Sequence, residues 1–91
     1  MRVYVIIQQA LYDNSSYYDV VCVKSNLTDA KIVVETSVKD ILSNNLLGDN
    51  AKVFYNEEIA TQGFNADLGA LVINDLGYYE LITIENFDVD K

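Results

Sequence analysis

The sequence predicts an α+β fold, in which an antiparallel sheet of four to five strands carries one main helix on one face, in the order ββα-βββ. Two observations predict it. Only one stretch, Asn26 to Gly48, combines a helix start signal, a helical period and a stop signal. The rest of the chain alternates between short β-favouring runs and clusters of turn residues. Since the chain has 91 residues, we expect a single α+β domain over residues 1-91.

The helix is predicted by apolar residues that recur at steps of three, four, four, three and one, which places them on one side of a helix with 3.6 residues per turn. They are Leu27, Ala30, Val34, Val38, Ile41 and Leu42. Asn26 or Thr28 can cap its first turn, and Asn44, Asn45 and Gly48 suit its end. The β-branched residues within Lys31 to Val38 also suit a strand. Because the period and both caps agree, the helix is the preferred interpretation.

Five segments are predicted as strands, because each is short, rich in β-favouring residues and bounded by turn residues. They are Val3 to Leu11, Tyr17 to Lys24, Lys52 to Tyr55, Ala70 to Asn74 and Tyr78 to Glu85. The first two form an antiparallel hairpin around Tyr12 to Ser16, and the last two form another around Asp75 to Gly77. Asn56 to Gly69 is predicted as an irregular loop, with either a helical turn at Asn56 to Ala60 or a bend at Gln62-Gly63.

The predicted strands are apolar on both faces. The expected opposing sets are Val3, Val5 and Ile7 against Tyr4 and Ile6, then Val20 and Cys22 against Tyr17, Val21 and Val23, and last Tyr78, Ile82 and Ile84 against Tyr79 and Leu81. One helix covers only one face of a sheet. The other face must then be covered by the Asn56–Gly69 loop, by a second copy of the protein or by a different partner. An uncovered apolar face of several hundred Å² would be a binding surface or a liability.

The composition excludes several kinds of site. The chain has no histidine and one cysteine, Cys22, which excludes imidazole acid–base catalysis, serine–histidine relays and histidine or multi-cysteine zinc sites. No glycine-rich phosphate-binding motif and no calcium-loop spacing occurs. We therefore expect no enzyme, no cofactor and no metal site. The alternative is an acid–base enzyme that uses carboxylates alone, for which Glu57 with Glu58, or Asp88 with Asp90, could pair. Cys22 lies in an apolar strand and is expected to be buried and inert, which fits a reducing compartment such as the cytoplasm.

The charge of the chain bears on its partners. Fourteen acidic residues face six basic ones, for a net charge of −8. This disfavours direct nucleic-acid binding and speeds encounter with a basic partner. Solubility alone is the alternative reading of the acidity. The longest apolar run, Val3 to Ile7, is too short to span a membrane, and we expect neither a membrane contact nor a signal peptide.

Tyrosines and carboxylates make up the candidate contact surface. Tyrosine is favoured at interfaces, and adjacent tyrosines in a strand send one ring to each face. Carboxylates spaced over a surface can imitate nucleic-acid phosphates, and those of the last third are joined on the first hairpin by Asp13 and Asp19. The alternative for the tyrosines is ordinary packing within the strands. The alternative for the carboxylates is a solvated sheet edge that discourages strand pairing. The predicted partner-binding residues are Tyr17, Tyr18, Asp67, Asp75, Tyr78, Tyr79, Glu80, Glu85, Asp88 and Asp90.

Several stretches carry a resemblance at the level of pattern. They are Met-Arg-Val-Tyr-Val-Ile-Ile, a Tyr-Asp turn, Val-Val-Cys-Val-Lys-Ser, a Thr-Asp-Ala-Lys helix start and a closing Tyr-Tyr-Glu-Leu-Ile-Thr-Ile-Glu-Asn-Phe-Asp-Val. Over most of its length the chain resembles small proteins of bacteriophages and mobile elements. In size and acidity it is similar to phage anti-CRISPR proteins, many of which bind a CRISPR effector and block its nucleic-acid channel. That group shares no motif, so the resemblance implies no residue roles.

Three hypotheses follow from the sequence. The first is a phage-type inhibitor, in the host cytoplasm, whose acidic, tyrosine-bearing surface binds the basic nucleic-acid site of a host defence protein. The second is a homodimeric structural or accessory module that buries the second sheet face. The third is a small-ligand sponge with an aromatic pocket. This last hypothesis is weakened by the shortage of basic residues, which are Arg2, Lys24, Lys31, Lys39, Lys52 and Lys91.

Overall fold

The computed structural model of the chain describes residues 1–89. It confirms the predicted α+β class, with a five-stranded antiparallel sheet and one main helix. The elements are β1 (Arg2–Tyr12), β2 (Ser15–Lys24), α1 (Leu27–Asn44), β3 (Lys52–Tyr55), a 3-10 helix (Asn56–Gln62), β4 (Gly69–Ile73) and β5 (Tyr79–Asp88). The strand order across the sheet is β2-β1-β5-β4-β3. The first and last long strands are therefore neighbours at its centre.

Helix α1 begins and ends where the side chains predict. The Asn26 side chain accepts a hydrogen bond from the backbone N–H of Asp29 at 2.8 Å, which satisfies one of the free donors of the first turn. Asn45 ends the helix in the left-handed conformation at φ 54°. The alternative of a strand over Lys31 to Val38 is therefore wrong. Leu42, expected on the apolar side, is 45% exposed, because it lies about 100° around the helix from the buried Ile41.

The main core lies between α1 and one face of the sheet, called here the helix-covered face. Apolar side chains from α1 meet side chains from β1, β4 and β5 in one cluster. Its fully buried members are Ile6, Ala30, Ala70, Val72 and Ile82. Cys22 is half-buried against the same cluster. Burial of this apolar area is the main favourable contribution to folding.

The second sheet face is covered over only part of its width. The segment after β3, expected to be an irregular loop, begins with a 3-10 helix that places Ile59 against Leu71 and Leu81. Phe64 then contacts Tyr79 edge-on, with ring centroids 4.7 Å apart. This layer lies over β3, β4 and β5. Of the three expected covers for the second face, the Asn56–Gly69 segment is the one observed over that part of the sheet.

A β-bulge in β2 changes which residues share a face. Ile6 is opposite Cys22, but Ile7 is opposite Val20, so Val21 is an extra residue in β2. The expectation that Val20 and Cys22 share one face is therefore wrong. Cys22 faces the helix, whereas Val20 lies on the second face with Val23. The predicted division of Tyr78 and Tyr79 between the two faces is confirmed, since each packs in a different cluster.

Candidate protein-binding surfaces

Glu80 of β5 is a buried carboxylate at the centre of a hydrogen-bond cluster on the helix-covered face. It is only 3% exposed. It accepts hydrogen bonds from the amide of Gln8, the hydroxyl of Tyr12 and, at 3.0 Å, the hydroxyl of Tyr17. Within residues 1–89 no lysine or arginine lies within salt-bridge distance of it. Three donors from β1 and β2 therefore replace water around this carboxylate, and they tie the first hairpin to β5.

The same contacts alter the acidity of two phenols. Burial, followed by the hydrogen bond to Glu80, raises the pKa of Tyr12 far above its ordinary value of 10.0. The same causes, in the same order, raise the pKa of Tyr17. Ionising either phenol would place a negative charge beside a carboxylate in a poorly solvated site. Both hydroxyls therefore stay protonated donors through the neutral range.

We expect the stability of the fold to decrease as pH rises above 10.0, the ordinary pKa of the Tyr12 phenol. The folded protein then holds a proton that the unfolded chain releases, so the free energy of unfolding falls with increasing pH. Below that pH the contribution is fully present. Urea denaturation between about pH 9 and pH 12 measures it. Tyr12→Phe should flatten this decline, whereas a slope equal to that of the wild type would contradict the assignment.

Three connecting segments meet at one end of the sheet, and each carries an exposed aspartate. Asp13 lies in the turn between β1 and β2, Asp49 follows α1, and Asp75 lies in the turn between β4 and β5. The antiparallel register brings these segments to the same end. Asp49 and Asp75 line one shallow cavity of about 160 Å³. We call Asp13, Asp49 and Asp75 the acidic end.

The acidic end is held in place by hydrogen bonds. The hydroxyl of Tyr78 donates to Asp13 at 3.1 Å, and this bond raises the pKa of Tyr78. The side-chain oxygen of Asn74 accepts bonds from the N–H groups of Leu76 and Tyr78, both at 3.0 Å, around Asp75. Such bonds to the backbone are typical of well-ordered turns.

The uncovered part of the second sheet face is apolar. The register places Val5 opposite Val23, Ile7 opposite Val20, Gln9 opposite Tyr18 and Val3 opposite Phe87, so all these side chains share this face. Its most exposed apolar members form what we call the open face, which consists of Leu11, Tyr18, Val20, Val23 and Phe87. Tyr18 is 64% exposed and Val23 is 54% exposed. Apolar side chains grouped on one face, unlike scattered ones, are typical of an interaction surface.

Carboxylates occur at the boundary of the open face, and basic side chains do not. Asp67 and Glu85 line a groove of about 230 Å³ between the 3-10 layer and β1. Arg2 and Lys24 lie on the helix-covered face by register, and Lys52 lies on β3 at the far edge of the sheet. Lys31 and Lys39 belong to α1. Within residues 1–89 the open face therefore carries no lysine or arginine.

The structure does not bring the ten predicted partner-binding residues into one surface. Tyr17 and Glu80 are together, but Glu80 is buried, and Asp88 is paired with Arg2 at 3.1 Å. Tyr79 packs under Phe64. The others are distributed as follows: Tyr78 and Asp75 at the acidic end, Tyr18 on the open face, Asp67 and Glu85 at its boundary. Asp90 lies outside the described residues.

Sequence reasoning missed most of the open face. The sequence predicts Leu11, Val20 and Val23 as ordinary strand residues and ends the last strand at Glu85, before Phe87, whereas β5 continues to Asp88. The two-faced pattern indicated only that some apolar positions would stay uncovered. Asp49 of the acidic end was also missed. The order of strands decides which strands the 3-10 layer covers. That order has no local sequence signal.

No family model, curated protein or solved structure matches this chain. Among the described residues no helix has the length and apolar character needed to cross a membrane. Residues 1–89 also contain no group of three or more histidine, cysteine, aspartate or glutamate side chains placed to hold a metal ion.

Proposed function

We propose that this protein is a non-enzymatic inhibitor that binds a host defence protein, of the CRISPR effector kind, and blocks its nucleic-acid site. The acidic end supports the proposal, since three exposed carboxylates project there from three separate connecting segments. Within residues 1–89, five strands begin or end at this end of the sheet, and only β3 has a lysine as its terminal residue there, Lys52. A carboxylate offers a basic nucleic-acid site what a phosphate offers it, a negative charge and acceptors for arginine and lysine.

The rigidity of the acidic end strengthens the comparison with phosphates. Asp13 lies in a two-residue turn between paired Tyr12 and Ser15, and it accepts a bond from Tyr78. Asp75 lies in a turn closed by Asn74. A contact surface whose turns are already ordered loses little backbone entropy on binding. The mechanism we propose is competition: the three acids occupy the basic side chains that would otherwise hold the nucleic-acid backbone.

The proposal predicts a salt-sensitive competitor of nucleic-acid binding. Purified CRISPR effectors are mixed with their labelled DNA or RNA and with increasing amounts of this protein, and the bound nucleic acid is measured. We expect displacement at low salt that weakens as salt rises from about 50 to about 500 mM, because exposed charges are screened. Absence of displacement across effectors of every available type at low salt would contradict the proposal.

Replacing Asp13, Asp49 and Asp75 together with asparagine should weaken that competition by between about fivefold and a hundredfold, since each exposed ion pair contributes up to about 1 kcal/mol. The matched control replaces Glu35, Glu57 and Glu85 with glutamine, which changes the net charge equally at exposed positions elsewhere. If both triple variants lose competition equally, net charge matters and the acidic end does not.

A further inference from the structure

The second sheet face has the profile of a single step. The 3-10 layer lies over β3, β4 and the adjoining part of β5. It does not extend over β2, where Val20 and Val23 are exposed, and on β1 the central Ile7 is 5% exposed whereas Leu11 is 40% exposed. A layer packed on a sheet stands about 10 Å high, which is also the spacing of two sheets packed face to face. Another sheet laid on β1 and β2 would therefore meet the side of the 3-10 layer at matching height.

We propose that a second copy of this chain covers the open face. A two-fold axis parallel to the strands, placed between β1 and β2, packs β1 and β2 of one copy against β1 and β2 of the other. In each copy the 3-10 layer begins over β5, which adjoins β1 on the side away from β2. The rotation therefore places the 3-10 layer of one copy just outside the β2 edge of the other copy. A stepped surface is thus complementary to itself, as a two-fold interface requires. A different protein would need a step of its own to fit.

The charge pattern favours a second copy over a basic partner on this face. The residues that fill the open face are uncharged, and Glu85 lies at its boundary on β5. Depletion of charge and a high apolar fraction are typical of homodimer interfaces. The proposed axis places Glu85 beyond the other copy's β2, so the two Glu85 side chains do not face each other. A basic partner would instead select a face rich in carboxylates, which is the acidic end.

Addition of a strand at the β2 edge is a poorer way to pair two copies. The bulge at Val21 interrupts the regular register of this edge strand, and bulges at sheet edges are a common protection against strand addition. The apolar face, which lies on β1 as well as β2, offers a wider contact.

The size of the open face predicts how strong the dimer is. β1 and β2 have 11 and 10 residues. With strands about 4.8 Å apart and a rise of about 3.4 Å per residue, the two strands have a footprint of roughly 350 Å² per copy. This is below the range of stable specific interfaces, so we expect a weak, reversible dimer with a dissociation constant on the order of 100 µM.

The inference goes beyond the proposed function and uses a different surface. Since the axis is parallel to the strands, the dimer carries both acidic ends at the same end of the assembly. Six aspartates would then lie side by side and repel one another. Salt screens this repulsion, so we expect dimerisation to strengthen with added salt, whereas binding to a basic partner weakens.

Sedimentation velocity of the purified chain tests the inference without any partner protein. We expect a monomer–dimer equilibrium between about 10 µM and about 1 mM. The double variant Val20→Lys/Val23→Lys should raise the dissociation constant at least tenfold, because it buries two unpaired charges in the interface. The control Ile32→Lys changes a residue of α1 with the same 54% exposure as Val23, and it should leave the dimer unchanged. Circular dichroism confirms that each variant is folded.

Three outcomes would overturn the inference. One is a wild-type chain that stays monomeric up to about 1 mM, which would assign the open face to a different protein. The second is a dimer that the double variant leaves intact. The third is a dimer that Ile32→Lys dissociates, which would place the contact on α1. None of these results bears on competition for nucleic acid, so failure of the dimer and failure of the proposed inhibitor are distinguishable.

Discussion

Replacing Gly69 with alanine is expected to lower the free energy of unfolding by about 3–5 kcal/mol. Gly69 begins β4 at φ +137°, a conformation that side chains rarely adopt. A Cβ atom there would overlap the carbonyl oxygen of Ile82 and lie 2.9 Å from the Cα of Thr83. Both obstacles are backbone atoms of the central strand β5, so no side-chain rotation can relieve them. The chain crosses here from the 3-10 layer into the sheet, and only glycine permits so close an approach.

Gly77→Ala is the matched control for Gly69→Ala. Gly77 also has a positive φ, of +85°, but nothing lies within 4 Å of the position of its Cβ. Gly77→Ala should therefore lower the free energy of unfolding only through the strained backbone conformation, by about 1–2 kcal/mol. Urea denaturation of the two variants separates the effects. Equal losses of stability would contradict the close approach of Gly69 to the backbone of Ile82 and Thr83.

Replacing Glu80 with leucine is expected to lower the free energy of unfolding by about 2–4 kcal/mol, despite the added apolar surface. The variant leaves the amide of Gln8 and the hydroxyl of Tyr12 without their acceptor in a part-buried site. Tyr17, which is half exposed, can donate to water instead. Most of the loss should therefore come from the two donors on β1. The first hairpin would also lose its side-chain attachment to β5.

Two further variants isolate the cause of the Glu80→Leu effect. Glu80→Gln keeps an oxygen acceptor and should cost only about 1 kcal/mol, since the bonds lose their charge. Glu85→Gln, five residues along the same strand and exposed, should change the stability by less than about 0.5 kcal/mol. If Glu80→Leu proves as stable as the wild type, the cluster does not hold the hairpin to the sheet.

Local elements could be predicted because their signals lie within a few residues. The Asn26 side chain accepts its capping hydrogen bond from the N–H of Asp29, three residues away, and Asn45 ends the helix at the adjacent turn. The turns around Asp13 and Asp75 were recognised in the same way from their own composition. No such signal marks the bulge at Val21, where neither glycine nor asparagine is present.

The site residues depend on contacts between distant parts of the chain. Glu80 was predicted as a surface acid, but its partners Gln8 and Tyr12 are 72 and 68 residues away in sequence. They meet it only because β1 and β5 are neighbours. The same strand order decides that the 3-10 layer stops short of β1, which leaves Val20 and Val23 exposed. Period and composition predict that apolar faces exist, and only the order of strands decides which one stays open.

An isotope-filtered nuclear Overhauser experiment on mixed labelled and unlabelled chains tests the central claim most directly. The claim is that one half of the second sheet face is uncovered within a single chain and is covered by another copy. We expect intermolecular contacts from the methyl groups of Val20 and Val23 and from the ring of Phe87. Contacts confined to Ile32 or Leu42 on α1, or none at concentrations where the chain is folded, would contradict the account.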